Sequence, residues 1–223
     1  MRERIPFGIA ALDISTGGGI PRGHYSLFTG PTRSGKSTAA GHILANYQRL
    51  DPREAIFIDQ EGKIDWDWLT WMGVDRGRVT EEGADHLEVI GDKILKCAEE
   101  WDDVGLLIWD AINSTPAKIN LGTLAKDHIS PEAHLLNRMF HSLVVYLSKR
   151  RRREKPLTII CINHETRGMP PGGNARIPPP VIVPGGREQL YNAALRVRFR
   201  TPKYLKTVQT TGLKIPTLVQ FAY

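Results

Sequence analysis

The chain has 223 residues, 41% hydrophobic and 24% charged, with a formal net charge of +6 and a pI near 9.4. That length suits one α/β domain over residues 1–223 with a sizeable core and little left for a second. No stretch approaches the roughly 20 apolar residues of a membrane span and Met1-Arg2-Glu3-Arg4-Ile5-Pro6 lacks a signal peptide's apolar core, which predicts a soluble, cytoplasmic protein with no membrane partner. Cys97 and Cys161 fall in a helical pattern and an apolar strand pattern, so both are expected to be packed thiols, outside any disulfide or metal site.

Tyr25-Ser26-Leu27-Phe28-Thr29 reads as the first strand, and residues 36–48 read as a helix. Between them Gly30-Pro31-Thr32-Arg33-Ser34-Gly35-Lys36-Ser37-Thr38 is a complete phosphate-binding loop. Its glycines let several backbone N–H groups point at one anion, a geometry that Cβ atoms would obstruct. Lys36 is placed to reach the β- and γ-phosphates, Ser37 to offer its hydroxyl to Mg²⁺, and the helix start near Gly35 to present its positive end. The expected ligands are therefore a nucleoside triphosphate and Mg²⁺.

A second strand follows at Ala55-Ile56-Phe57-Ile58-Asp59, then a helix around 85–101, a strand at 104–109, a helix at 131–149 and a strand at 157–162. This alternation is the rhythm of a parallel sheet covered on both faces, and the unbroken apolar runs at 104–109 and 157–162 suit doubly buried strands. Leu195-Arg196-Val197-Arg198-Phe199-Arg200 alternates and Thr217-Leu218-Val219-Gln220-Phe221 is bounded by turns, which predicts antiparallel strands at one edge.

In such a sheet the ligand site lies at the carboxyl ends of the strands. Val104-Gly105-Leu106-Leu107-Ile108-Trp109-Asp110 has the form of a Walker B strand, whose aspartate helps hold Mg²⁺. Glu61, two residues past the second strand, is placed to orient the attacking water or take its proton, although alone it is one carboxylate among many. His164 ends the strand at 157–162 and could sense the γ-phosphate or be a satisfied buried histidine.

Leu135, Leu136, Met139, Phe140, Leu143, Val144 and Leu147 make one apolar helical face, with Ser130 as the expected N-cap and Pro131 as the first helical residue. Lys149-Arg150-Arg151-Arg152-Arg153 then sits at the helix end, where cations complement the macrodipole. A solvated helix end and a phosphate-contacting patch both fit this run. The stretch from Glu165 to Gln189 is rich in Pro and Gly and long for a structureless connection, so it reads as functional or disordered.

Together these segments resemble the RecA-type ATPase core, especially the bacterial RecA and phage recombinase branch. Leu12-Asp13 with Gly17-Gly18-Gly19-Ile20-Pro21-Arg22-Gly23 is similar to the segment that family places ahead of its phosphate loop. Phe57-Ile58-Asp59-Gln60-Glu61 resembles the segment carrying the catalytic glutamate, and in the same register Asp65 and Trp68 fall where the family contacts and stacks on adenine. The resemblance implies ATP as the nucleotide, with Glu61, Lys36 and His164 as catalytic residues and Ser37 and Asp110 at the metal. Bacterial RecA typically has glutamine where this chain has His164; an imidazole also donates one hydrogen bond but can be protonated near neutral pH, so a steeper pH dependence of turnover is expected than for a glutamine variant.

By the same resemblance, Ser114-Thr115-Pro116 leads into a first DNA-binding loop at about 118–130, and residues 165–189 form a second loop that Gly185-Gly186 closes. Arg167, Arg176 and Arg187, with Gly185 and Gly186, are then the DNA-contacting residues, engaging backbone phosphates of single-stranded DNA. Expected partners are single-stranded DNA, further copies of the chain in a ring or filament, and a single-strand-binding protein, in a bacterial or phage-infected cell. Phe7-Gly8-Ile9-Ala10 spells a subunit-linking pattern of eukaryotic and archaeal relatives, but here lies inside the segment leading to the loop. Lys203, Lys206 and Lys214 are candidates to complete a neighbour's ATP site. The reading is an ATP-dependent protein that anneals or pairs strands. Alternatives are a motor or regulatory ATPase of the same fold, a binding module with a purely structural nucleotide, and a nuclease using Asp59, Glu61 and Asp110.

Overall fold

The structure, a computed structural model, describes residues 3–117, 131–169 and 178–200. Ahead of the phosphate loop, β1 (Arg4–Ile5) and β2 (Ile20–Pro21) pair antiparallel on either side of helix α1 (Ala10–Thr16). The Asp13 carboxylate organises this segment by accepting from the Phe7 and Gly8 amides at 2.7 and 3.0 Å. Phe7 is fully buried against Phe28, so the Phe-x-x-Ala pattern is not displayed for a neighbouring subunit.

The chain then alternates strand and helix: β3 (Tyr25–Gly30), α2 (Lys36–Leu50), β4 (Glu54–Asp59), α3 (Trp66–Trp71), β5 (Val79–Glu82), α4 (Leu87–Glu100), β6 (Val104–Asp110), α5 (Pro131–Arg152) and β7 (Thr158–His164). A two-stranded antiparallel pair follows, β8 (Thr166–Arg167) with β9 (Val181–Ile182), and then α6 (Glu188–Tyr191) and β10 (Leu195–Arg198). The central sheet has the order β10-β3-β7-β6-β4-β5, and all of its pairings are parallel. It is the expected α/β core with a mostly parallel sheet and helices on both faces.

Two apolar layers result from the period of two along each strand. Ile56, Ile58, Leu107, Trp109, Ile159 and Cys161 meet α4 and α5, whereas Ala55, Phe57, Leu106, Ile108, Ile160 and Ile162 meet α2. Burial on both faces explains why these strands read as continuous apolar runs. Cys97 and Cys161 are free, buried thiols, as expected. No helix among the described residues is long and apolar enough to cross a membrane.

Three details differ from or refine the sequence reading. β10 is an edge strand as expected but runs parallel to β3, with Leu195 opposite Ser26; the alternation reports one solvated face and carries no information on direction. The other expected edge strand, 217–221, lies outside the described residues, as do Ser130, 118–130, Arg176, Lys203, Lys206 and Lys214. Pro131 does begin α5, but the basic run at its other end is not simply solvated. Arg150 is 1% exposed and donates to the carbonyls of Cys97, Trp101, Val104 and Lys155, while Arg151 donates to Gly23 O at 2.7 Å.

Candidate nucleotide site at the strand ends

β3 delivers the chain to the phosphate loop at Gly30, which no side chain could replace without displacement: its φ is +151°, and a Cβ there would lie 2.5 Å from the Phe199 carbonyl oxygen. Within the loop Arg33 (φ +61°) and Gly35 (φ +92°) are both left-handed, the kind of backbone that turns successive N–H groups into one concave surface. Lys36 opens α2 and is buried, its ammonium donating to Gly30 O at 3.1 Å and Pro31 O at 2.8 Å. Burial lowers its pKa, only partly opposed by the charges of Asp110, Glu61 and Glu165.

Sheet register assembles the rest. The β3–β7 pairing sets Gly30 opposite His164, and the β4–β6 pairing sets Asp59 opposite Asp110, so the ends of four adjacent strands meet beside the loop. Ser37 Oγ donates to Asp110 Oδ2 at 2.5 Å. Burial pushes the Asp110 carboxyl above its ordinary range, although the Ser37 hydroxyl opposes this. A hydroxyl beside a buried carboxylate is a pair of hard oxygen donors, which suits Mg²⁺.

Glu61 stands on the loop after β4, and Asp59 shapes that loop by accepting from the amides of Glu61, Gly62 and Ile64 at 3.0, 2.9 and 2.9 Å. The Glu61 carboxylate receives Lys63 Nζ at 2.8 Å, contacts His164 Nε2 through its other oxygen, and accepts from Ser114 Oγ at 3.4 Å. Burial pushes its pKa up, but the hydrogen bonds from Lys63 and His164 outweigh burial and hold it below the usual carboxylate range. The sequence reading missed Lys63 and gave Ser114 only as the start of the segment leading to the first loop. It considered Asp59 only as part of a metal-holding acidic cluster, whereas the structure spends the Asp59 oxygens on the loop backbone. Among the described residues no three His, Cys, Asp or Glu side chains are grouped to hold a metal.

A cleft of about 420 Å³ is lined by Thr32, Arg33, Ser34, Gly35, Lys36, Ser37 and Thr38 of the phosphate loop, by Glu61, Asp110 and His164, and also by Ile64, Asp65 and Trp68. Asp65 is the N-cap of α3, one carboxylate oxygen accepting from the Trp68 amide at 2.9 Å. The three tryptophans of this helix divide. Trp66 packs against Phe57 and beneath the Arg76 guanidinium, while Trp68 and Trp71 are exposed and stacked on one another.

Beyond β7 the residues expected to meet DNA split into two groups. Arg167 on β8 and Arg187 before α6 are exposed. Gly185 and Gly186 have φ of +94° and +87° and press on α5 at Leu136 and Asn137. Asn163 is wholly buried beside His164 and donates to Pro184 O at 2.8 Å and Gln189 Oε1 at 2.9 Å. Adjacent strand residues point to opposite faces, so His164 faces Glu61 while Asn163 holds the base of the 165–189 segment. That hub gave no sign in sequence, because Asn163 and Gln189 lie 26 positions apart.

A match to the RecA N-terminal domain family extends over residues 2–218. The chain belongs to that family. Relatives include Protein RecA of Ruminococcus albus, 30% identical over 211 residues that cover 92% of this chain and 49% of that protein. Protein RecA of Symbiobacterium thermophilum is 28% identical over 214 residues, 93% of this chain and 57% of that protein. For Protein RecA of Paenarthrobacter aurescens the figures are 30% over 211 residues, 92% and 56%. The chain thus spans about half the length of the curated relatives it matches, and its six-stranded sheet and phosphate loop lie within the RecA family match.

Proposed function

We propose that this chain is an ATP-hydrolysing recombination protein that binds single-stranded DNA as an oligomer, a ring or filament, and promotes annealing or pairing of strands. The observation that carries the reading is the convergence of Lys36, Ser37, Asp110, Glu61 and His164 on one cleft at the strand ends. Membership of the RecA family and resemblance to its bacterial and phage recombinase branch support the choice of ATP and DNA. On this reading residues 1–223 act as a single ATPase core.

Lys36 and the loop amides from Arg33 to Thr38 take the β- and γ-phosphates, the ammonium exchanging its two carbonyl contacts for phosphate oxygens. Ser37 and Asp110 would hold Mg²⁺, which when bound neutralises charge on the phosphates. Asp65 and Trp68 take the adenine end. Glu61 is the general base: its depressed pKa keeps it ionised, and it orients the attacking water and accepts its proton. His164 touches Glu61 and stands next to Asn163, so one strand end contacts both the hydrolytic carboxylate and the base of the segment bearing Arg167, Arg176 and Arg187. Those arginines, with Gly185 and Gly186, engage the DNA backbone, and a single-strand-binding protein is the expected competitor or loading partner.

The test is ATP hydrolysis with and without single-stranded DNA, at fixed salt because backbone binding depends on it, for wild type and Glu61→Gln. Stimulation by DNA that the variant loses is the expected result. Robust turnover indifferent to DNA would instead favour a regulatory ATPase of the same fold.

A further inference from the structure

Trp71 is 78% exposed and belongs to neither apolar layer of the fold. An indole left in water needs a reason, since aromatic side chains normally bury 150–250 Å² each. Its one ring contact among the described residues is Trp68, with centroids 5.3 Å apart and planes inclined at 17°. Spacing of three along α3 places both rings on the same side of the helix. Trp68, in turn, is 45% exposed and lines the cleft, whereas Trp71 does not. The cleft is therefore lined both by the phosphate loop and by an aromatic ring already backed by a second ring.

We propose that Trp71 is a positioning residue for base recognition: it fixes the plane of Trp68, so that the site holds a purine nucleotide in preference to a pyrimidine. This rests on the reading of the cleft as a nucleoside triphosphate site with the base against Trp68. A lone indole on a six-residue helix samples several rotamers, and a base landing on it must stop that motion. Stacking on Trp71 removes part of that freedom beforehand, which is preorganisation in the same sense as a rigidified ligand. The preference for purines follows from overlap, because a bicyclic base covers more of a bicyclic indole than a single ring does. Trp66 does not share the role, since its indole N–H donates to Glu81 at 2.8 Å and Arg76 lies 4.0 Å over its ring.

The experiment is equilibrium binding of Mg·ATP and Mg·CTP to the full chain as wild type, Trp71→Ala, Trp71→Phe, Trp68→Ala and Lys36→Ala, with far-ultraviolet circular dichroism confirming that each variant is folded. Trp71→Ala is expected to weaken ATP by about 2- to 12-fold, the worth of one aromatic pair, with a smaller effect on CTP and a lower ATP:CTP preference. Trp71→Phe restores most of that preference. An unchanged ATP:CTP ratio in Trp71→Ala, whether both affinities hold or both fall equally, overturns the proposal, because a merely structural contribution would move the two nucleotides together. If Trp68→Ala also keeps the ratio while Lys36→Ala abolishes binding, the base does not lie on Trp68: the triphosphate reading stands and this inference falls. If Lys36→Ala binds both nucleotides as wild type does, the nucleotide reading itself fails and takes the inference with it.

Discussion

Arg150→Met isolates a charged side chain that the fold uses as internal scaffolding. The guanidinium donates to Lys155 O at 2.6 Å, to Trp101 O and Val104 O at 2.9 Å each, and to Cys97 O at 3.1 Å, tying the end of α4 and the start of β6 to the end of α5. Asp102, its acidic partner at 3.5 Å, is 45% exposed and only partly balances the charge. Methionine occupies a similar volume, so the loss is polar and leaves little cavity. Each hydrogen bond to a charged donor is worth about 1.5–3 kcal/mol, and four of them give roughly 6–12 kcal/mol. Relief from burying a guanidinium offsets several kcal/mol of this, leaving a net destabilisation of about 3–5 kcal/mol. Urea unfolding followed by circular dichroism measures it, with Arg152→Met, an exposed neighbour in the same run, expected to stay within about 0.5 kcal/mol. A change below about 1 kcal/mol in Arg150→Met, or equal changes in the two variants, would refute the argument that burial rather than charge density decides what these arginines do.

Asp59→Ala frees three loop amides and lets Glu61 drift, so turnover is expected to fall on the order of 100-fold with little change in KM for ATP; steady-state kinetics that show a KM effect alone contradict this. Lys63→Ala removes a hydrogen bond that holds the Glu61 pKa down. In the proposed mechanism Glu61 works as the carboxylate, which is lost as pH falls through its folded-state pKa, so the acid limb of the turnover profile should move to higher pH without Lys63 and stay in place in Lys63→Arg. His164→Gln takes away an imidazole contact that also holds the Glu61 pKa down, so the acid limb should again move to higher pH; superimposable profiles refute that expectation. Gly30→Ala drives a Cβ against the Phe199 carbonyl oxygen, and thermal unfolding should show a loss of about 1–3 kcal/mol together with weaker ATP binding.

The doubly buried strands were legible because burial on both faces writes itself as an unbroken apolar run, as in β6 and β7. The phosphate loop was legible because its glycines and lysine have few other uses at that spacing. β5 escaped notice: Val79-Thr80-Glu81-Glu82 is an edge strand with one buried residue and no apolar run to find. The direction of β10 was misread because alternation records which face is wet, whereas pairing direction depends on how α6 returns the chain to β3. At the site, strand ends offered Glu61 and His164 only as candidates that the family resemblance singled out, and their contact, which spans 103 positions, appears only once sheet register is known. Asp59, by contrast, was visible as a carboxylate but entered only the nuclease alternative, since nothing in its spacing tells whether the oxygens face a metal or the amides of their own loop.

The proposed function divides labour within one cleft: Lys36 holds the triphosphate and Glu61 hydrolyses it. Equilibrium Mg·ATP binding and single-turnover hydrolysis, measured side by side on wild type, Lys36→Ala and Glu61→Gln, separate the two roles. Glu61→Gln should bind ATP as wild type does while hydrolysis falls by about 100-fold or more, and Lys36→Ala should lose binding itself. Wild-type hydrolysis by Glu61→Gln, or wild-type affinity in Lys36→Ala, would contradict it.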